Sequence, residues 1–165
     1  MKFTNKIVSA LLAVFLFYGT AYCGQKADSV LVVKSDSKLY LFHEGKEIAS
    51  FKVAFGANPE GHKQQQGDER TPEGHYILDF KNTNSAYYKS IHVSYPNARD
   101  RENARKRGVN PGGDIMIHGQ RNGYEGLSTF VQFFNWTDGC IALTNPEMDI
   151  VWQAVSPGTP IEIRP

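Results

Sequence analysis

Apolar positions along this chain recur in short bursts rather than long helical stripes. Val30 to Val33, Leu39 to Phe42 and Ile48 to Phe55 are apolar or β-branched runs, separated by Ser35-Asp36-Ser37 and by His43-Glu44-Gly45-Lys46. Runs of this length between turn-forming clusters predict a three-stranded meander. Leu39 and Leu41 then face one side of the sheet, and Tyr40 and Phe42 the other. The pattern breaks at "GANPEGHKQQQGDERTPEGHY", Gly56 to Tyr76, which is too polar for regular structure, with Gln64 to Gln66 as a solvated stretch. Loops of such length in compact domains are functional or disordered.

Strands resume at Tyr76 to Phe80 and Ile91 to Tyr95. A short exposed helix follows, capped by Asn97 and stopped by Gly108. Asp114 to Ile117 is a short buried strand that delivers His118-Gly119. A second helix starts at Thr144 or Asn145, with the Thr-x-x-Glu capping pattern and Pro146 in its first turn, and runs to about Val155. "SPGTP" ends it, and Ile161 to Ile163 is a closing strand. The expectation is one mainly β domain with a few short helices over residues 28–165, without repeats or a second domain.

Residues 1–23 have a different character. Lys2 and Lys6 precede the almost wholly apolar Ile7 to Tyr18, and Gly19, Thr20 and Ala21 are small, the pattern of a secretory signal peptide. Cleavage after Ala21 and cleavage after Cys23 both fit. A lipoprotein site at Cys23 fits less well, because bulky Tyr22 stands where a small residue is wanted. The apolar run is well short of the roughly 20 residues that span a bilayer, so the chain is expected to be exported and not transmembrane. Losing Lys2 and Lys6 with the leader turns the formal charge of +1 into −1. Neither that charge nor an exported location suggests nucleic acid as a partner. The basic stretch Arg99 to Arg107 is read as a solvated helix face, with contact to an anionic cell-surface polymer as the alternative.

Composition changes the picture at one point. The chain has two cysteines, Cys23 and Cys140, and only the second lies in the domain. A lone cysteine in an exported chain is either a small buried hydrophobe or a reactive thiol. A thiol attacks as thiolate and is mostly protonated at neutral pH, so it needs a base. Of His43, His62, His75, His92 and His118, the last is the best candidate: a predicted strand holds it and Gly119 lets the chain turn away. Gly139 admits positive φ, which lets the amides of Asp138, Gly139 and Cys140 converge on a developing oxyanion. Zinc is disfavoured, because no Cys-x-x-Cys or His-x-x-x-His pair is present. No Gly-x-Ser-x-Gly elbow is present either.

These residues together resemble the L,D-transpeptidase catalytic domain, or YkuD fold, whose hallmark is His-Gly followed downstream by Ser/Thr-x-Gly-Cys. Here His118-Gly119 and Thr137-Asp138-Gly139-Cys140 look like that pair, and "GDERTPEGHY" looks like the family's Gly…Thr-Pro-x-Gly segment. "LVVKS", "SIHVSYPN", "GGDIMIHG", "WTDGCIALTN" and "GTPIEIRP" extend the likeness to the YafK-like murein branch, over essentially the whole domain. The resemblance implies a β-sandwich or mixed-sheet domain acting on peptidoglycan stem peptides in the periplasm or cell envelope, without a cofactor or metal. It implies Cys140 as nucleophile, His118 as general base and the Gly119 carbonyl as the group orienting His118. It leaves His92 and Thr137 as side chains that contact substrate or support the catalytic pair, with Arg70 and Tyr95 as weaker candidates to line the cleft. The acceptor is an amine for transpeptidation, such as a D-amino acid, or water for hydrolysis, including carboxypeptidase or amidase release of a wall-attached protein. A non-catalytic wall-binding module is a further alternative. Two positions depart from the family: Asp138 replaces a histidine, and Ala142 replaces an arginine associated with substrate binding.

Overall fold

The computed structural model describes residues 24–124 and 128–165. The leader expected over residues 1–23 lies outside the described residues. Three strands, β1 (Ser29–Val33), β2 (Lys38–His43) and β3 (Lys46–Lys52), form the antiparallel meander that the apolar runs predict. β4 (Gly74–Ser85) and β5 (Tyr88–Val93) form a hairpin much longer at its turn end than the apolar runs suggest. Its distal part, Asn82 to Ser85, is polar, and pairing rather than burial holds it.

Helix α1 (Ala98–Arg107) follows. Its Asn97 side chain accepts from the Asp100 amide, the Asp100 carboxylate accepts in turn from the Asn97 amide, and Gly108 stops it at φ 68°. Next come β6 (Met116–His118), the four-residue α2 (Ser128–Val131), β7 (Ile141–Ala142), α3 (Asn145–Ala154) and β8 (Thr159–Arg164). The Thr144–Glu147 capping box and Pro146 start α3 as the pattern predicts; α2 has no counterpart in that pattern.

All eight strands belong to one mixed sheet, in the order β3-β2-β1-β8-β4-β5-β6-β7. β8 inserts at the centre, parallel to β1 and antiparallel to β4. One face carries the core, with Val32, Leu39, Leu41, Leu78, Ile91, Ile117, Ile161 and Ile163 all at 0–1% exposure. α3 lies over β5 and adds Met148, Val151 and Ala154 to that core. Among the described residues, no helix is long and apolar enough to cross a membrane.

The sheet curls until its two edges meet. Beyond β3, Ala54 exchanges two backbone hydrogen bonds with Ala142 of β7, at 3.0 and 2.8 Å. The Thr137 amide donates to the Phe55 carbonyl at 3.0 Å, and the Phe55 amide to Asn135 Oδ1 at 3.0 Å. The seam is tight. A Cβ on Gly139, at φ +117°, would lie 2.5 Å from the Arg70 carbonyl oxygen, and one on Gly56 would collide with the Glu69 carbonyl. The long polar segment is therefore a packed loop rather than a disordered one. Asp68 anchors it, accepting from Lys63 Nζ at 2.7 Å and from the amides of Gln64, Gln65 and Arg70.

Gly139→Ala combines a forbidden φ with a backbone clash and is expected to lower stability by about 2 kcal/mol or more; chemical denaturation measures it. Burial opposes the charge of Asp68, but the Lys63 ammonium and three amides outweigh it and hold the carboxyl below its usual range. A depressed folded-state value means this contribution is complete above the ordinary carboxylate range, near pH 4, and is lost as pH falls through the lowered value. Asp68→Asn is expected to cost about 1–3 kcal/mol at pH 7 and to flatten part of the acid limb of the stability–pH curve. An acid limb identical to wild type would contradict this.

Candidate active site

The seam places the cysteine. Thr137, 6% exposed, wraps the turn before it: its Oγ1 accepts from the Gly139 amide at 3.2 Å and donates to the Cys140 carbonyl at 2.8 Å. From the packed loop, Thr71 Oγ1 donates to the Gly139 carbonyl at 2.9 Å. Here the Thr-Pro-x-Gly segment acts as a clamp on the backbone of the cysteine turn. The Gly139 amide is thus already bonded to Thr137. Of the three amides expected to converge, those of Asp138 and Cys140 carry no hydrogen bond among the described residues.

Cys140 is a free cysteine and partly exposed. Its Sγ accepts from the Met116 amide at 3.4 Å and lies 3.6 Å from the Asp114 carbonyl, to which the thiol donates. Burial pushes its pKa up; Asp138 and Asp114 push the same way, against the Met116 amide and Lys63. At rest the sulfur is a protonated thiol.

His118 ends β6, where the sheet fixes it on both sides, opposite Ser90 of β5 and Ala142 of β7. It is 4% exposed, and its Nδ1 lies 2.7 Å from the Gly119 carbonyl. A carbonyl only accepts, so Nδ1 carries the proton and Nε2 is left with a lone pair. Burial lowers the pKa to about 4 despite that bond, so the ring is neutral at pH 7. Gly119 is required for packing: a Cβ there would lie 2.6 Å from Asn145 Oδ1. Among the described residues, no hydrogen bond joins the thiol to the imidazole in this resting arrangement. Both groups nevertheless line one cavity of about 440 Å³, together with Ser90, Trp136 and Asp138.

The aromatic walls of that cavity escape a reading of the sequence. Tyr87 lies 4.7 Å from the His118 ring and Trp136 lies 5.7 Å from it, edge-on. Trp136 was visible only as an aromatic beside the cysteine motif. Tyr87 had no signal at all, since only the pairing of Ser90 with His118 brings the β4–β5 hairpin here.

The other candidates separate. His92 does not line the cavity; its Nδ1 lies 2.7 Å from Asp79 Oδ1. His62 Nδ1 accepts from the Glu73 amide and its Nε2 lies 3.3 Å from Asp100, which ties the loop to α1. His43 and His75 lie 4.0 Å from Asp28 and Glu162, away from the cavity. Arg70 meets the site through its backbone, and Tyr95 is a core residue whose hydroxyl donates to the Pro111 carbonyl. Asp138 is exposed and also lines a second hollow of about 350 Å³, with Lys63, Glu69 and Asp114. Ala142 is fully buried in the seam and faces neither hollow.

This geometry has close relatives. The model of the L,D-transpeptidase catalytic domain, YkuD, matches residues 27–163. YafK of Escherichia coli (strain K12) is 31% identical over 111 residues, 66% of this chain and 37% of that protein. The crystal structure of the helical cell shape determining protein Pgp2 from Campylobacter jejuni superposes with a TM-score of 0.63 at 29% identity, over 84% of this chain and 48% of that one. An L,D-transpeptidase from Mycobacterium smegmatis shares the fold alone, with a TM-score of 0.54 at 14% identity over 84% of this chain and 59% of that one. The chain thus spans just over a third of the curated relative it matches and about half of the Campylobacter protein. With the matched segment covering nearly all the described residues, the chain belongs to the L,D-transpeptidase catalytic domain (YkuD) family.

Proposed function

We propose that this chain is an exported cysteine acyltransferase acting on peptidoglycan stem peptides in the cell envelope, with residues 1–23 as its secretory leader. The observation that carries the proposal is a neutral imidazole, its Nε2 lone pair unclaimed among the described residues, in one cavity with the free thiol of Cys140. Family membership supplies the substrate class.

The resting pair is thiol and imidazole rather than thiolate and imidazolium. Rotation about the Cys140 Cα–Cβ bond turns Sγ from the Asp114 carbonyl toward His118. Nε2 takes the thiol proton as the Sγ–C bond forms on the scissile carbonyl, and the amides of Asp138 and Cys140 receive the oxyanion. Collapse breaks the C–N bond, and the amine leaves with the proton from His118, giving a thioester. An incoming amine attacks that thioester, passing its proton to His118. The C–S bond breaks, and the thiolate recovers the proton. The Gly119 carbonyl keeps the productive tautomer throughout, and Thr137 holds the turn in shape.

Hydrolysis is the second reading, with water in place of the amine. The alanine at 142 favours it, because the arginine that the family resemblance associates with substrate binding has no equivalent at that position. Acceptor choice then falls on Asp138, which borders both hollows. Incubation with sacculi separates the readings: new cross-linked muropeptides indicate transpeptidation, and released fragments without them indicate hydrolysis.

A carbapenem is expected to leave a covalent adduct on the intact protein, seen by mass spectrometry and absent in Cys140→Ala. His118→Gln is expected to slow adduct formation by about 10²- to 10⁴-fold. Because the base must be neutral, the labelling rate should fall as pH drops through about 4 rather than near the ordinary histidine value. An acid limb near pH 6.5 would contradict the assignment.

A further inference from the structure

Ser90 lines the catalytic cavity, and the acyl-transfer steps above give it no task. It is only 3% exposed, and among the described residues its hydroxyl has no hydrogen-bond partner. Buried polar groups are nearly always paired, so an open one facing a cavity points to a partner that arrives with the ligand.

The strand register places this hydroxyl. Ile91, Ile117 and Ile141 pair across β5, β6 and β7, and all three are fully buried in the core. One position along, Ser90 pairs with His118 and His118 with Ala142, so this second row faces away from that core. Direct partners of this kind hold their Cβ atoms about 4.5–5.5 Å apart. Because β6 lies between β5 and β7, the imidazole stands between Ser90 on one side and the strand that follows Cys140 on the other. Asn82 pairs with Ser90 from β4, but its Oδ1 accepts from the Asn84 amide at 2.9 Å, which leaves the hydroxyl unclaimed.

A nucleophile that attacks the thioester, whether primary amine or water, brings two hydrogens. Nε2 of His118 has one lone pair and takes one of them. The Asp138 and Cys140 amides only donate, so they cannot hold the other. A serine hydroxyl accepts through two lone pairs and rotates to suit.

We propose that Ser90 positions the acceptor: its Oγ accepts the second hydrogen of the amine or water while Nε2 takes the first, which aims the attacking lone pair at the thioester carbonyl. The inference rests on the proposed acyl transfer and adds the group that orients its second half. In that step the N–C or O–C bond forms and the C–S bond breaks. Nε2 passes its proton to the departing thiolate, and the hydrogen held by Ser90 stays on the product.

The test separates the two halves of the reaction. A short peptidyl thioester loads Cys140 by exchange, and its leaving sulfur brings no hydrogen to place. Intact-protein mass spectrometry then reads loading and loss of the acyl group, in water and with added methylamine. Ser90→Ala is expected to slow loss about tenfold relative to loading, the effect of one hydrogen bond. Its thermal melting should match wild type, since the alanine removes no bond within the protein. A ratio of loss to loading equal to wild type, a parallel fall in both rates, or a Ser90→Ala protein that no longer melts cooperatively would overturn the role. A wild-type protein labelled by neither the thioester nor a carbapenem, or one that loads and never releases its acyl group, sinks the acyl-transfer proposal and this one with it. A wild type that turns over, with an unchanged ratio in Ser90→Ala, sinks Ser90 alone.

Discussion

Two backbone hydrogen bonds between Ala54 and Ala142, at 3.0 and 2.8 Å, close the curled sheet on itself, and the site is built around that closure. The cysteine turn lies in the seam. Ala142 pairs on one side with Ala54 and on the other with His118, so Cys140 and His118 are both referred to one short stretch of backbone. β7 is only two residues long and could not hold this position by its own pairing. Thr71 and Arg70 of the long loop press on Gly139 from outside, and the buried Gln120–Gln132 pair caps the Leu143 and Ala142 carbonyls from within. Rigid elements therefore meet at the thiol from four directions, as preorganisation requires.

The same burial sets the electrostatics. It disfavours charge on both partners, lowering the His118 pKa and raising that of Cys140. A permanent thiolate would be costly in such a site, because a charged sulfur loses solvation on burial. Lys63 is the nearby positive counterweight, but Asp68 and the Gln65 carbonyl hold its ammonium. Asp138 acts against the thiolate from the other side.

The meander, α1 and α3 with their caps, and the strand leading to His118 were legible because each rests on local chemistry: apolar alternation, Asn97 with Gly108, Thr144 with Glu147. The two short motifs singled out in the sequence contain Cys140 and His118, and the fold brings both to one cavity. Closure was not, since Ala54 and Ala142 carry no feature that announces a pairing 88 positions apart in the chain. Nor was the outer half of the β4–β5 hairpin, where Asn82 to Ser85 read as loop and are held only by cross-strand bonds. Tyr87 entered the site through that unseen register. Gly139 shows the limit of a local reading: its positive φ was legible, but the bond from its amide to Thr137 was not.

Everything proposed for the site rests on a neutral His118 with its proton on Nδ1, held there by Gly119 and by burial. Nitrogen-15 NMR of the imidazole across a pH titration tests this most directly. A neutral ring, Nδ1 protonated and Nε2 bare, is expected from pH 8 down to about pH 4. An imidazolium signal at pH 7, or the opposite tautomer, would contradict it.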